Sequence, residues 1–545
     1  MDTLVSSVRG ALEKGLELDN GHGVVSVPAW ALQLALCLGV GTNVLVLGSI
    51  AIGRLWMWRG STVNGRLFGD HLSCRSLAWW ELWVLCPRKG VSHPGDAKPE
   101  AQRQSALGSW KPQQAKLESG WRFVGAAESH RVTEANMASR HAHTTPLSGE
   151  SAGRQTWVKG TEKEETPSFD ASKNPNASDL VFRAQRIKAW KTAGNPVPDE
   201  RQVPKTAEEA AAKAVGFYQM LLCDDGHFAG DYGGPMFLMP GLIIACYVSG
   251  VDLAERKSAM ITYLRNHQQT DGGWGTHIES PSTMFGSVLS YVSLRLLGVD
   301  ASDAAIVQAR NFLHKHGGAL TVPSWAKFWL CVLGVHEWEG INSIPAEMWL
   351  LPFWFPFHPG KLWCHCRMVY LPMCYLYCKR FKNPKKDTDP VLQALRKELY
   401  TSDYTSIRWD RERHSICPLD NYSPVTVFQK CAHNVLAVFE TYTRLFSMWP
   451  FSLLRRAGIK YAMDYIKSED IQTNWICIGP VNKVLNMLCV WVDNGNTPCE
   501  SFYRHVARLD DYLWVAEDGM KMQAQILKST LYTHFIQSME WGTDF

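Results

Sequence analysis

From Thr206 onward the chain repeats one pattern: short runs with apolar residues three and four positions apart, each closed by glycine, proline or a polar break. KTAEEAAAKAVGFYQMLL, PGLIIACYVSG, ERKSAMITYLRNHQ, STMFGSVLSYVSLRLLG, AAIVQARNFLHKHGG and SWAKFWLCVLG all show it. Strand alternation is nowhere sustained. The body is therefore expected to be all-α, built from antiparallel helix pairs in the manner of an α/α barrel or toroid. Thr206 stands where an N-cap is wanted, ahead of a run rich in Ala, Glu and Lys.

One helix end carries a finer signal. Gln268 is followed by Gly272 and Trp274, with Asp271 and Gly273 between, after the helix containing Tyr263 and Leu264. A glutamine amide can bond the carbonyls exposed at a helix end, glycines permit a sharp turn, and an indole can stack on the amide as a clasp. Residues 218–235, YQMLLCDDGHFAGDYGGP, read as a degraded copy with Phe228 in place of the tryptophan.

Core material is ample: 46% of the 545 residues are hydrophobic and 20% charged, with 23 Trp, 21 Phe and 17 Tyr. Such an aromatic excess suits a ring-lined cavity or a membrane-facing surface. A formal charge of +4 gives no basic face for nucleic acid. The 15 cysteines, odd in number and thinly spread, suit reduced thiols facing the cytosol. Cys364, Cys366, Cys374 and Cys378 have a spacing that invites zinc. The RMVYLPM run among them reads as buried helix, however, so core thiols are expected, with no metal and no other cofactor. Stoichiometric zinc in purified protein would overturn that assignment.

Residues 24–52 are uncharged and mostly apolar, longer than the ~20 residues needed to span a hydrocarbon core. They are expected to form a transmembrane helix within a membrane anchor covering residues 1–86. Arg54, Arg59 and Arg66 follow it, which puts the bulk of the chain on the cytosolic side. The tryptophan-rich run at 77–86 suits the membrane interface. Residues 87–152, polar and without apolar period, are expected to be a flexible linker.

Longer motifs then carry a resemblance. GDYGGPMFLMPG (230–241), DGGWGTHIESPSTMFG (271–286), PSWAKFWL (323–330), LWCHCRMVYLPM (362–373), ICIGPVNKVLNMLC (476–489) and DYLWVAEDGMKMQ (511–523) resemble the oxidosqualene cyclases. GPVNKVLNMLCVWV is most similar to the cycloartenol synthases among them. The resemblance is collinear over residues 153–523, the terpene cyclase N-terminal barrel region, and covers about the first half of such an enzyme; residues 524–545 form a divergent tail.

The resemblance implies two α/α barrels around an apolar cavity, seated on the endoplasmic reticulum membrane, with lipid droplets as a further location. It implies 2,3-oxidosqualene as substrate and a carbocation cascade that ends in a sterol precursor such as cycloartenol. Matched by motif, Tyr232, Trp325 and Trp363 correspond to substrate-binding positions, the two tryptophans offering cation–π stabilisation. His365 and Tyr370 correspond to catalytic positions near the late cation, with His365 hydrogen-bonded to Tyr370 and taking part in the final proton removal.

The family's proton donor, the Asp of an Asp-Cys-Thr-Ala-Glu motif, has no match, so the chain by itself is expected to be inactive. Asp510 and Asp511 fall where the family has no acid function. Two other classes stand beside this one: a non-catalytic, membrane-bound isoprenoid-binding or scaffold protein, and a zinc protein prenyltransferase of α/α architecture. The segment EMWLLPFWFPFHPGKLW, 347–363, is expected to be either an apolar mouth on the bilayer or a proline-rich turn with buried rings.

Overall fold

The chain divides into two units, Met1–Ser92 and His93–Phe545. The structure is a computed structural model; it describes residues 16–19, 24–27, 114–117, 120–124, 154–160 and 168–170. From 179 to 523 it describes all but 198, 200, 225, 232, 356–357, 423–424 and 446–450. In the first unit, β1 (Leu16–Asp19) pairs antiparallel with β2 (Val24–Val27). The expected transmembrane run thus starts in β2. Residues 28–52, the interfacial run at 77–86 and the tail at 524–545 lie outside the described residues. Among the described residues, no helix is long and apolar enough to cross a membrane.

The second unit is mostly helical, as the apolar period requires. Its helices are α1 (Leu180–Thr192), α2 (Ala207–Leu221), α3 (Leu238–Ser249), α4 (Lys257–Asn266), α5 (Met284–Leu296), α6 (Ala304–Lys315) and α7 (Ser324–Leu333). They continue with α8 (Cys364–Cys378), α9 (Pro390–Glu398), α10 (Val427–Leu445), α11 (Phe451–Gln472), α12 (Pro480–Asp493) and α13 (Glu500–Ala507). Thr206 caps α2 as expected: its hydroxyl accepts from Glu209 N at 3.2 Å, while the Glu209 carboxylate reaches back to Lys205 N at 2.6 Å. Helix α3 has no charged residue and is buried almost end to end, packing on α5, α7 and α12. Helix α8 packs on α11 and α12.

Among the described residues this unit also has three small antiparallel ribbons: β3 (Trp121–Val124) with β4 (Thr156–Lys159), β5 (Trp274–Gly275) with β6 (Ser282–Thr283), and β7 (Leu513–Ala516) with β8 (Gly519–Met522). Residues 121–124 fall in the stretch expected to be linker. They are ordered because Trp121 and Val124 are buried and Phe123 enters an aromatic box with Trp157, Phe182 and Trp514. Ring centroids there lie 4.9 Å (Phe123–Phe182) and 5.3 Å (Trp157–Trp514) apart.

The turn after α4 has the expected parts in a different arrangement. Trp274, not Gln268, closes the helix: its Nε1 donates to Leu264 O at 2.7 Å. Gln268 Nε2 instead donates to Gly272 O and to Ala305 O at the start of α6, both at 2.9 Å. Gly272 sits at φ +89, and a Cβ there would lie 2.6 Å from Gln308 O in α6. The degraded copy repeats this backbone. Gly226 N donates to Cys223 O and Cys223 N to His227 O, just as Gly272 N donates to Gln269 O and Gln269 N to Gly273 O, all at 2.9 Å. Leu222 therefore stands where the first turn has Gln268.

Candidate active site

Two pairs of side chains gather at α7 and α8. Trp325, in the first turn of α7, donates from Nε1 to the Tyr370 hydroxyl at 3.2 Å. Their rings meet edge to face, with centroids 6.1 Å apart at 82°. Trp363 is the residue before α8, and its ring stands edge-on to His365, 4.6 Å between centroids at 72°. Trp363 precedes Tyr370 by seven positions, about 10 Å along the axis of α8. Trp363 is 44% exposed, whereas Trp325 and Tyr370 pack against the core.

Burial pushes the Tyr370 hydroxyl up to about 12, so it stays a neutral phenol. Burial alone holds the His365 imidazole below its ordinary range, which keeps it uncharged at neutral pH. These groups offer electron-rich faces and a weak neutral base without adding a positive charge. Helix α8 also contains Pro372, which removes one helical hydrogen bond.

Tyr232 lies outside the described residues. Its neighbour Asp231 is held by Lys521 on β8, whose Nζ is 3.1 Å from both Asp231 Oδ2 and Asp518 Oδ2. His267 Nε2 stands 2.9 Å from the same Asp518 oxygen. Burial opposes the Lys521 charge, but Asp518 and Asp231 outweigh it and hold the ammonium above its usual range. Gly233 makes this possible, since a Cβ there would lie 2.6 Å from Lys521 Cδ. The GDYGGP loop is thus tied to the DGMK ribbon, a link between motifs that sequence reading did not find.

All four cysteines of the zinc-like spacing lie on α8 and are free thiols. Burial pushes Cys374 up to about 12 and raises Cys378 further, while the Cys378 sulfur accepts from Ala346 N at 3.2 Å. Protonated thiols in such contacts are poor metal ligands. In the aromatic segment before α8, Phe353 and Trp354 are 65% and 77% exposed, whereas Trp349 is buried. Asp510 and Asp511 are both engaged by arginines. Arg256 makes two bonds of 2.9 and 2.8 Å to Asp510, and Arg154 Nε donates to Asp511 Oδ1 at 2.8 Å.

A protein-family model for the squalene-hopene cyclase N-terminal domain matches residues 212–518, more than half of the chain. The chain is similar to cycloartenol synthase of Dictyostelium discoideum, 46% identical over 375 residues that cover 68% of this chain and 50% of the relative. Lanosterol synthase of Mus musculus is 48% identical over 321 residues, covering 58% and 42% of the two chains. Alpha-onocerin synthase of Lycopodium clavatum is 39% identical over 399 residues, covering 68% and 51%. The helical fold and the matched domain define a protein of the terpene cyclase class. Within that class the chain belongs to the oxidosqualene cyclase family, and it spans about half the length of the curated relatives it matches.

Proposed function

We propose that this chain forms the first α/α barrel of an oxidosqualene cyclase and supplies one wall of the cavity in which 2,3-oxidosqualene is cyclised to a sterol precursor such as cycloartenol. The observation that carries this reading is the pairing of Trp325 with Tyr370 and of Trp363 with His365 around one helix. In the cascade, protonation opens the epoxide C–O bond, successive double bonds attack the cation formed, and loss of a proton ends the sequence. Each cationic stage needs a negative face that does not itself attack. Indole and phenol rings provide it, at ~2 kcal/mol or more per contact when desolvated. Water must be excluded, which apolar packing around α7 and α8 favours.

In this reading His365, as a neutral imidazole, accepts the final proton, and Tyr370 lines the wall beside it as a neutral phenol. The acid that opens the epoxide comes from the second barrel, so the chain by itself does not turn over substrate. The exposed Phe353 and Trp354 rings form the rim on the endoplasmic reticulum membrane through which substrate enters. The bulk of the protein lies on the cytosolic side, and lipid droplets are a second surface of the same chemistry.

The test joins this chain to the C-terminal half of the Dictyostelium cycloartenol synthase, in yeast lacking its own cyclase, and identifies products by mass spectrometry. The fusion is expected to yield a cycloartenol-type triterpene, and the chain alone none. Trp363→Ala in the fusion is expected to cut product formation at least about tenfold, the equivalent of one lost cation–π contact. A folded, membrane-attached fusion that neither binds nor converts oxidosqualene overturns the proposal.

A further inference from the structure

Three elements of the second unit turn large apolar side chains to solvent, and the aromatic segment with Phe353 and Trp354 is the first. The second is α10. Phe428, Cys431, Val435 and Val438 follow one another at offsets of three, four and three, so they run along one side of the helix, and all four are exposed, Phe428 and Val435 to 66%. The third is the start of α11, where Leu453 and Leu454 are exposed.

These elements are joined at one side chain. Arg455 of α11 bonds the Glu347 carboxylate at the head of the aromatic segment. It makes two further bonds to Glu440 of α10, Nη1 to Oε1 at 3.1 Å and Nη2 to Oε2 at 2.8 Å. Arg380, just beyond α8, donates to the same Glu440 Oε1 at 3.1 Å. Helix α11 also meets the aromatic segment backbone on backbone. A Cβ at Gly458 would lie 2.9 Å from Ala346 C and 3.0 Å from Ala346 O, so the two chains approach as closely as a missing side chain allows.

Exposed apolar side chains do not by themselves select what covers them, but charge does. Residues 348–378 and 421–463, which hold the aromatic segment, α8, α10 and the first part of α11, contain seven Lys and Arg and one carboxylate. That carboxylate is Glu440, buried and matched by two arginines. The whole chain is nearly balanced, with 56 basic residues to 52 acidic, so the excess is local. Three of the cations stand beside the exposed apolar groups. Lys361 Nζ is 5.7 Å from the Phe353 ring centre, Lys430 follows Phe428 by two positions and Arg456 follows Leu454 by two, and all three are exposed. The turn at 409–414, which meets α10 through His414 and Asn434, brings Asp410 and Glu412 but also Arg411 and Arg413, and so adds no net negative charge. Rings and aliphatic side chains bordered by cations match a bilayer with anionic headgroups, which offers hydrocarbon to the first and phosphate oxygens to the second.

We infer that the aromatic segment, the outer side of α10 and the start of α11 form a seat for an anionic lipid surface, and that this face distinguishes bilayers by headgroup charge. The inference rests on the reading of Phe353 and Trp354 as a membrane rim and deepens it by naming the lipid class.

The experiment uses the full chain reconstituted with vesicles and carrying a polarity-sensitive fluorophore at Cys431, the exposed thiol of α10, with the signal assigned by its loss in Cys431→Ser. Phosphatidylcholine containing phosphatidylserine is expected to shift the emission to shorter wavelength. It should raise the ratio of inserted to free label at least about fivefold over phosphatidylcholine alone, the effect of a single basic residue at a charged surface. Salt at about 1 M, where fields reach only ~3 Å, is expected to remove the difference. The triple variant Lys361→Gln, Lys430→Gln, Arg456→Gln keeps every apolar group and is expected to respond to the two kinds of vesicle alike. An equal response of the unaltered chain to both overturns the charge selectivity and leaves the rim standing. A label that enters neither overturns the seat and the rim reading together, and gives the cover as protein, a second copy or the second barrel. Undiminished selectivity in the folded triple variant overturns the assignment of these three cations. Product formation by the cyclase fusion is a separate readout and decides none of these outcomes.

Discussion

At Tyr370 one oxygen joins two helices, because it accepts the Trp325 indole N–H. Tyr370→Phe leaves that donor without its acceptor in a largely apolar setting and is expected to cost about 1–3 kcal/mol. Trp325→Phe in the same background removes the stranded donor. The two changes should therefore be non-additive, by about 0.5–3 kcal/mol in a urea-denaturation cycle; additive losses would mean that the bond contributes nothing. Each of these residues was legible in its own motif, but their partnership was not. The chain between them runs through prolines and short 3₁₀ turns with no period from which a direction can be read. The same limit applies to His365. Tyr370, its expected partner, lies five positions on, about 140° around the helix. The ring set against the imidazole is that of Trp363.

At the scale of the element, the turn after α4 and its degraded copy form a natural comparison. Gly272 needs both a left-handed backbone and the absence of a side chain, whereas Gly226, at φ +82, has nothing within 4 Å of where a Cβ would be. Gly226→Ala is expected to cost about 1–2 kcal/mol from backbone strain. Gly272→Ala should cost more, because α6 must also move, and the two thermal midpoints should rank in that order. The presence of the turn and its copy could be read from glycine spacing. The assignment of bonds could not, since the Gln268 partner Ala305 is 37 positions away. The strands β3 and β4 were missed for a related reason: four residues are too few for alternation to stand out in a polar stretch.

Over the whole molecule, acid should act through buried imidazoles and buried carboxyls together. Burial, with Lys327 nearby, lowers His336 to about 3, and burial with Lys483 nearby lowers His505 to about 4. Unfolded imidazoles titrate near ~6.5, so between those values the unfolded chain binds more protons than the folded one. The contribution of these two imidazoles is then complete above about pH 6.5 and lost as pH drops toward 4, while Asp420 and Glu517, each raised by burial to about 7, act in the opposite sense, so the comparison to make is of urea midpoints for the unaltered chain and His505→Gln across that range. His505→Gln should flatten part of the slope; an unchanged profile would mean that this imidazole is protonated in the fold. The helical body was legible from periodicity alone. The ionic ties that lock it, such as Lys521 to Asp231 and Arg256 to Asp510, join positions far apart and carry no local signature.

Phe353 and Trp354 have a practical consequence for handling. Large rings that stand this far into water lower their free energy at any boundary between water and a less polar phase. In thin aqueous films these rings should draw the molecule to the air interface, so particles imaged by electron microscopy should show a wider spread of views once detergent is added.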